Sequence, residues 1–169
     1  VESSFTKFFK EKDDSWRILG KDGSLLYFGT SPDSKETSSF GTFSWYLTKA
    51  EDTNGNYITY SYTKDEGKSY LSRIDYTGNE NNASPTNSVE FFTESREDIT
   101  SSYISGSKVS TQKRLSKIEA KVLGELVWKY ELEYGLSPDT NRSLLKGVTQ
   151  FAADGKSLPK QEFTYQNAK

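Results

Sequence analysis

The sequence has 169 residues, enough for one domain with a core of its own but not clearly for two. Hydrophobic residues make up 33%, against roughly 45–50% in globular domains, and aromatics at 14% offset part of the deficit, which suits a thin, largely solvated β-structure or a piece covered by neighbours in a longer chain. A net charge of −2 with pI near 5.4 gives no support for broad attraction to nucleic acid or anionic membrane, and the absence of Cys and His excludes disulfides, thiolate or imidazole catalysis and Cys/His metal sites. No apolar run approaches the roughly 20 residues of a membrane helix. The chain begins at Val1 and contains no Met, so it reads as a processed or excised segment.

Phe5, Phe8 and Phe9 open the chain amid Lys and Glu and fit either a helix turn or an entering strand. Trp16 and Ile18, then Leu25 and Tyr27, flank an Asp-Gly turn at Asp22-Gly23 and predict a first hairpin. Residues 30–39, with Pro32 and several Ser, read as a loop. Residues 43–63 form the organising hairpin: Trp45 and Leu47 lead into a turn of Asp52, Asn54, Gly55 and Asn56, and Tyr57 to Tyr62 alternate with period two. A strand over 70–76, a long loop over 78–88 and a partner strand over 89–94 follow. Arg96, Glu97 and Asp98 look like a turn, and Ile99, Tyr103 and Ile104 fit strand or short helix. Residues 109–121 and 126–134 make a hairpin around Gly124-Glu125, and 144–151 pairs with 161–165 around Asp154-Gly155, with Pro159 confined to an edge. Turn signals every 8–15 residues without 3.6-residue periodicity predict an all-β chain.

The hairpins share a pattern. Entering arms carry Leu-x-x-(Ala/Ile/Val) at Leu47/Ala50, Leu71/Ile74, Leu115/Ile118 and Leu145/Val148, and leaving arms end in alternate aromatics, Tyr60 with Tyr62, Phe92 after Val89, Tyr130 with Tyr134, and Phe163 with Tyr165. Such repetition suggests meandering or stacked units.

Several motifs taken together are familiar. Lys21-Asp-Gly23, Tyr27-Phe28-Gly29, Trp45-x-Leu47-x-Lys49, Glu51-Asp-x-Asn-Gly-Asn56-x-Ile-x-Tyr60-x-Tyr62, Lys113-Arg-Leu115-x-x-Ile118, Ser143-Leu-Leu145 and Asp154-Gly155-x-x-Leu158-Pro159-x-x-x-Phe163-x-Tyr165 resemble the SpvB-type N-terminal region. That region occurs in SpvB, in the B component of insecticidal Tc toxins and in Rhs/YD-repeat proteins. The resemblance runs from about Trp16 to Tyr165. It implies an antiparallel meander of repeated hairpins, an Rhs/YD-like sheet with little or no helix. It also implies a non-catalytic scaffold or shell segment of a large secreted bacterial toxin-like protein, partnered by the rest of its parent chain or by toxin-complex subunits.

Apparent chemical motifs have plainer readings. Glu131-x-Glu133 matches the paired Glu of ADP-ribosyltransferases, but Tyr130, Leu132 and Tyr134 alternate with it, as on a half-buried strand, and no Ser-Thr-Ser strand accompanies it. Asp52-x-Asn54-x-Asn56 invites a calcium loop, yet the positions that an EF-hand gives to Gly and Glu hold Tyr57 and Thr63, and a turn is favoured. Glu94, Glu97 and Asp98 give no sign of converging as a glycosidase pair. We therefore expect no enzyme, cofactor or metal. Residues 1–169 are read as a single β-rich domain or an excised segment of a larger chain. The alternative is a binding module recognising glycan or host protein through a face formed by Tyr57, Tyr60, Tyr62, Tyr130 and Tyr134, since exposed aromatics make large amphipathic contacts.

Overall fold

The computed structural model describes residues 5–81, 83–103 and 105–166. Eleven strands form one antiparallel sheet in nearly sequential order. They are β1 (Lys7–Lys10), β2 (Trp16–Leu19), β3 (Leu25–Phe28), β6 (Leu47–Glu51), β7 (Asn56–Asp65), β8 (Lys68–Asn79), β9 (Asn87–Ser102), β10 (Val109–Val122), β11 (Glu125–Leu136), β12 (Ser143–Ala152) and β13 (Gln161–Glu162). Between β3 and β6 the chain makes a 3₁₀ turn (Pro32–Ser34) and a small two-stranded sheet of β4 (Lys35–Ser38) and β5 (Gly41–Trp45). The all-β meander expected from the turn spacing is what the chain adopts.

The central turn closes as its residues require. The Asp52 carboxylate accepts the amides of Asn54 (2.8 Å) and Asn56 (2.9 Å) and the Asn56 side-chain amide (2.7 Å), while Gly55 takes φ +76°.

Four expectations need correction. Residues 30–39 are not simply loop, because Ser34 is fully buried and its hydroxyl ties back to the Ser31 backbone, leaving the Ser34 carbonyl to accept the Tyr46 amide at 2.8 Å. Trp45 does not belong to the organising hairpin: it ends β5, and the arm starts at Leu47. Arg96, Glu97 and Asp98 are not a turn but lie inside β9, where Arg96 and Asp98 share a face at i, i+2 and pair. The last strand stops at Glu162, so Phe163 and Tyr165 lie beyond it. Phe8 and Phe9, left open between helix and strand, are in β1; Ile99 is in β9, and Ile104 lies outside the described residues.

The Leu-x-x-(Ala/Ile/Val) repeat has one structural meaning. In each unit the residue after Leu is the extra residue of a β-bulge against the preceding strand: Thr48, Ser72, Ser116 and Lys146. Pairing with the following strand ends beside the bulge, at Lys49, Arg73, Lys117 and Gly147. The Leu carbonyl at such a break loses its ladder partner. In three units a tyrosine of the following segment supplies one: Tyr62 donates to Leu47 O (2.7 Å), Tyr134 to Leu115 O (2.7 Å) and Tyr165 to Leu145 O (2.8 Å). In the Leu71 unit, Thr93 stands where that tyrosine would fall.

Candidate interaction face

Alternation sends successive side chains to opposite faces, and the register joins them into rows across the sheet. One face carries an apolar row Phe8–Ile18–Leu26–Ala50–Ile58 and another Tyr60–Ile74–Val89–Ala120–Trp128–Ala152, beside Phe91–Ile118–Tyr130. No hydrophobic side chain among the described residues is buried, and Trp128 remains 42% exposed. One layer of sheet cannot enclose its own apolar face, which normally packs on a second layer. An open groove of about 490 Å³ marks one end of this face, over Leu26, Ala50, Ile58 and Tyr76.

The opposite face is charged and internally neutralised. Arg73 reaches Glu90 (2.5 Å) and Asp75 (2.8 Å), Lys121 bridges Glu90 (2.7 Å) and Glu119 (3.1 Å), and Lys117 holds Glu119 (2.6 Å). The Glu90–Glu119 cross-strand pair is thus flanked by cations, and its neighbours Lys117 and Lys121 hold Glu119 below the usual carboxylate range. Cations also stack on aromatic rings: Lys117 on Phe92, Lys129 on Phe151, Arg17 on Phe9, and Lys49 beside Tyr27 and Tyr57. Such a face is content in water. Sequence reasoning missed this stacking, although a basic residue two positions after Leu47 and Leu115 was its visible trace; Arg73, two positions after Leu71, enters the ion pairs instead.

The five tyrosines do not share one face. Tyr57 lies on the charged side, its ring against Gly78, where an added Cβ would come within 2.5 Å, and near Lys49. Tyr60, Tyr62, Tyr130 and Tyr134 fall on the apolar side by alternation. Tyr62 and Tyr134 are committed through their hydroxyls to bulge carbonyls, and burial pushes both phenols up. Tyr62 also packs on Tyr46 at 5.3 Å between centroids.

The acidic motifs are occupied structurally. Glu131 pairs with Lys129 (2.7 Å) and Glu133 with Lys160 (2.5 Å). Glu94 pairs with Arg114 (2.7 Å), whereas Asp98 binds Arg96 (2.6 Å) and accepts the Ser143 amide (2.9 Å) and hydroxyl (2.5 Å), so Arg96 and Ser143 hold its carboxyl well below the usual range. Glu36 lies buried between two hairpins. Burial would raise its pKa, but Tyr46 OH (2.6 Å), the Ser69 amide (3.1 Å) and Lys68 (2.9 Å) outweigh it and lower it. Among the described residues no three acidic side chains gather as a metal site. Thr100, Ser101 and Ser102 fall within β9. No helix among the described residues is long and apolar enough to cross a membrane.

The family model described as "Salmonella virulence plasmid 65kDa B protein" (SpvB) matches residues 2–87. No curated protein matches the chain. Among solved structures, the N-terminal domain of effector protein SpvB from Salmonella typhimurium strain LT2 is similar with TM-score 0.74 and 18% identity over 90% of this chain and 67% of that one. A TcdB2-TccC3-TEV structure matches with TM-score 0.79 and 20% identity over 99% of this chain, and the Photorhabdus luminescens Tc holotoxin pore with 0.77 and 18% over 98%. The chain spans 11% of each of these two. At such identities the structural likeness is one of fold. The family match extends over half of the sequence, and the chain belongs to the SpvB family.

Proposed function

We propose that this chain is a non-catalytic scaffold segment of a larger secreted bacterial toxin-like protein, its apolar face covered by other parts of the parent chain or by toxin-complex subunits. The carrying observation is the one-layered sheet with a continuous apolar face and no buried hydrophobic side chain among the described residues. The self-neutralised face opposite supports a polar environment on that side only. The acidic groups that could suggest catalysis are held in ion pairs or turns. Residues 1–169 serve here as one β-rich unit that gains its second layer from outside.

The test uses the absence of Cys. Ile58→Cys on the apolar face and Glu131→Cys on the charged face are labelled with a maleimide, in the isolated chain and in the intact parent protein. We expect Ile58→Cys to be labelled readily alone and strongly protected in the parent, with Glu131→Cys reactive in both. Equal labelling of Ile58→Cys in both overturns the scaffold reading. A second reading, a module binding glycan or host protein, is favoured by the openness of Trp128 beside Tyr130. It predicts that the parent leaves Ile58→Cys reactive and that an added glycan or host protein protects it.

A further inference from the structure

On the apolar side of the sheet, at its β1–β2 edge, two indoles meet in a corner. Trp16 opens β2 and Trp45 closes β5; their ring centroids lie 6.1 Å apart with planes at 88°. The Lys10 ammonium sits in the angle, 4.9 Å from one centroid and 4.3 Å from the other, and pairs with the Asp14 carboxylate. Two π faces at right angles with a carboxylate beside them make an environment selective for positive charge.

The Lys10 ammonium also reaches the Asp14 carbonyl at 3.4 Å, but the corner has supports of its own. Trp45 Nε1 donates to the Asp14 carbonyl at 2.6 Å, which fixes the ring. The Asp14 turn, at φ +64°, is held by Asp13, whose carboxylate accepts the Ser15 amide (3.1 Å) and hydroxyl (2.6 Å). Gly29, at φ +68°, leaves room that a Cβ would take from Trp45. Lys10, by contrast, belongs to the outermost strand, whose four residues are all exposed and which pairs on one side only. Its side chain can leave while the corner stands.

We propose that Trp16, Trp45 and Asp14 form a recognition site for a trimethylammonium head group, of which Lys10 is the intramolecular occupant. A quaternary ammonium spreads its charge over methyl groups that contact both rings and is weakly hydrated, so it loses less on leaving water than the Lys10 primary ammonium does. Lys10 competes by proximity and lowers the apparent affinity by the fraction of time it holds the corner. A hold of about 1.4 kcal/mol, in the range of an exposed ion pair plus cation–π contacts, corresponds to about tenfold.

Choline chloride is titrated into the protein and into Lys10→Ala, read by tryptophan fluorescence and by the Trp45 indole N–H resonance. Lys10→Gln serves as a second variant that keeps side-chain length, and 3,3-dimethylbutanol as the neutral isostere. The expected result is saturable choline binding about tenfold tighter in both variants, a shift of the Trp45 signal, and no response to the isostere. Asp14→Asn added to Lys10→Ala weakens it again. Phosphatidylcholine vesicles distinguish the source: co-sedimentation of Lys10→Ala assigns lipid head groups, and choline binding without it assigns the free cation. No choline binding by folded Lys10→Ala or Lys10→Gln, or an equal response to the isostere, overturns the proposal.

Discussion

Replacing Tyr134 by Phe tests whether the tyrosines after each bulge hold the sheet together where pairing stops. The mutation removes one hydroxyl, which donates to Leu115 O at 2.7 Å across the point where β10 and β11 part. A hydrogen bond of this kind contributes about 1 kcal/mol net, and stranding a partly buried carbonyl adds to the loss. Tyr134 is half-buried, so water reaches the Leu115 carbonyl only in part, and we expect a loss of about 1–1.5 kcal/mol. For a chain of this size that corresponds to roughly 2–6 °C in Tm. The internal control is Tyr130→Phe, on the same strand and face but with no hydrogen-bond partner for its hydroxyl among the described residues, which should change stability by less than about 0.5 kcal/mol. Urea unfolding followed by far-UV circular dichroism gives both values at constant m. Tyr62→Phe should behave like Tyr134→Phe, and because β7 and β11 lie four strands or about 19 Å apart, the double variant should be additive. If Tyr134→Phe proves as silent as Tyr130→Phe, the tyrosines are packing residues and the clip is not a stabilising device.

Gly55→Val forces a β-branched residue to φ +76° and should cost about 1–2 kcal/mol by thermal unfolding; an unchanged Tm would contradict the turn geometry, since the space at its Cβ is ordinary. Asp98 gives a pH signature. Its folded pKa lies below the unfolded value of about 3.9, so its contribution is present above that value and is lost as pH falls toward the folded one. Asp98→Asn should therefore destabilise the protein at pH 7 and flatten the decline in stability below about pH 4; an acid profile parallel to that of the unmodified protein would remove Asp98 from the account.

The repeat was legible in one dimension only. Leu47, Leu71, Leu115 and Leu145 stood out by spacing, but their role as residues flanking bulges depends on the partner strand, whose register no local pattern reports. The turns at Asp52 and Asp22 could be read because the Asx hydrogen bonds that close them span two to four residues. The polar stretch 96–98 could not, because what keeps it extended is a clamp from Ser143, 45 residues away along the chain. The Trp16–Trp45 corner was equally hidden, its halves belonging to different sheets.

Composition and period-two alternation by themselves determined an all-β meander of low apolar content, and the ordered motifs pointed to the family. Only the tertiary structure decided which side chains share a face. Tyr57 and Tyr60 part by alternation alone, being three residues apart on one strand, but one bulge shifts every later residue relative to its partner, so which residues of different strands join a neutralised charged face or an open apolar one follows from strand pairing across the sheet.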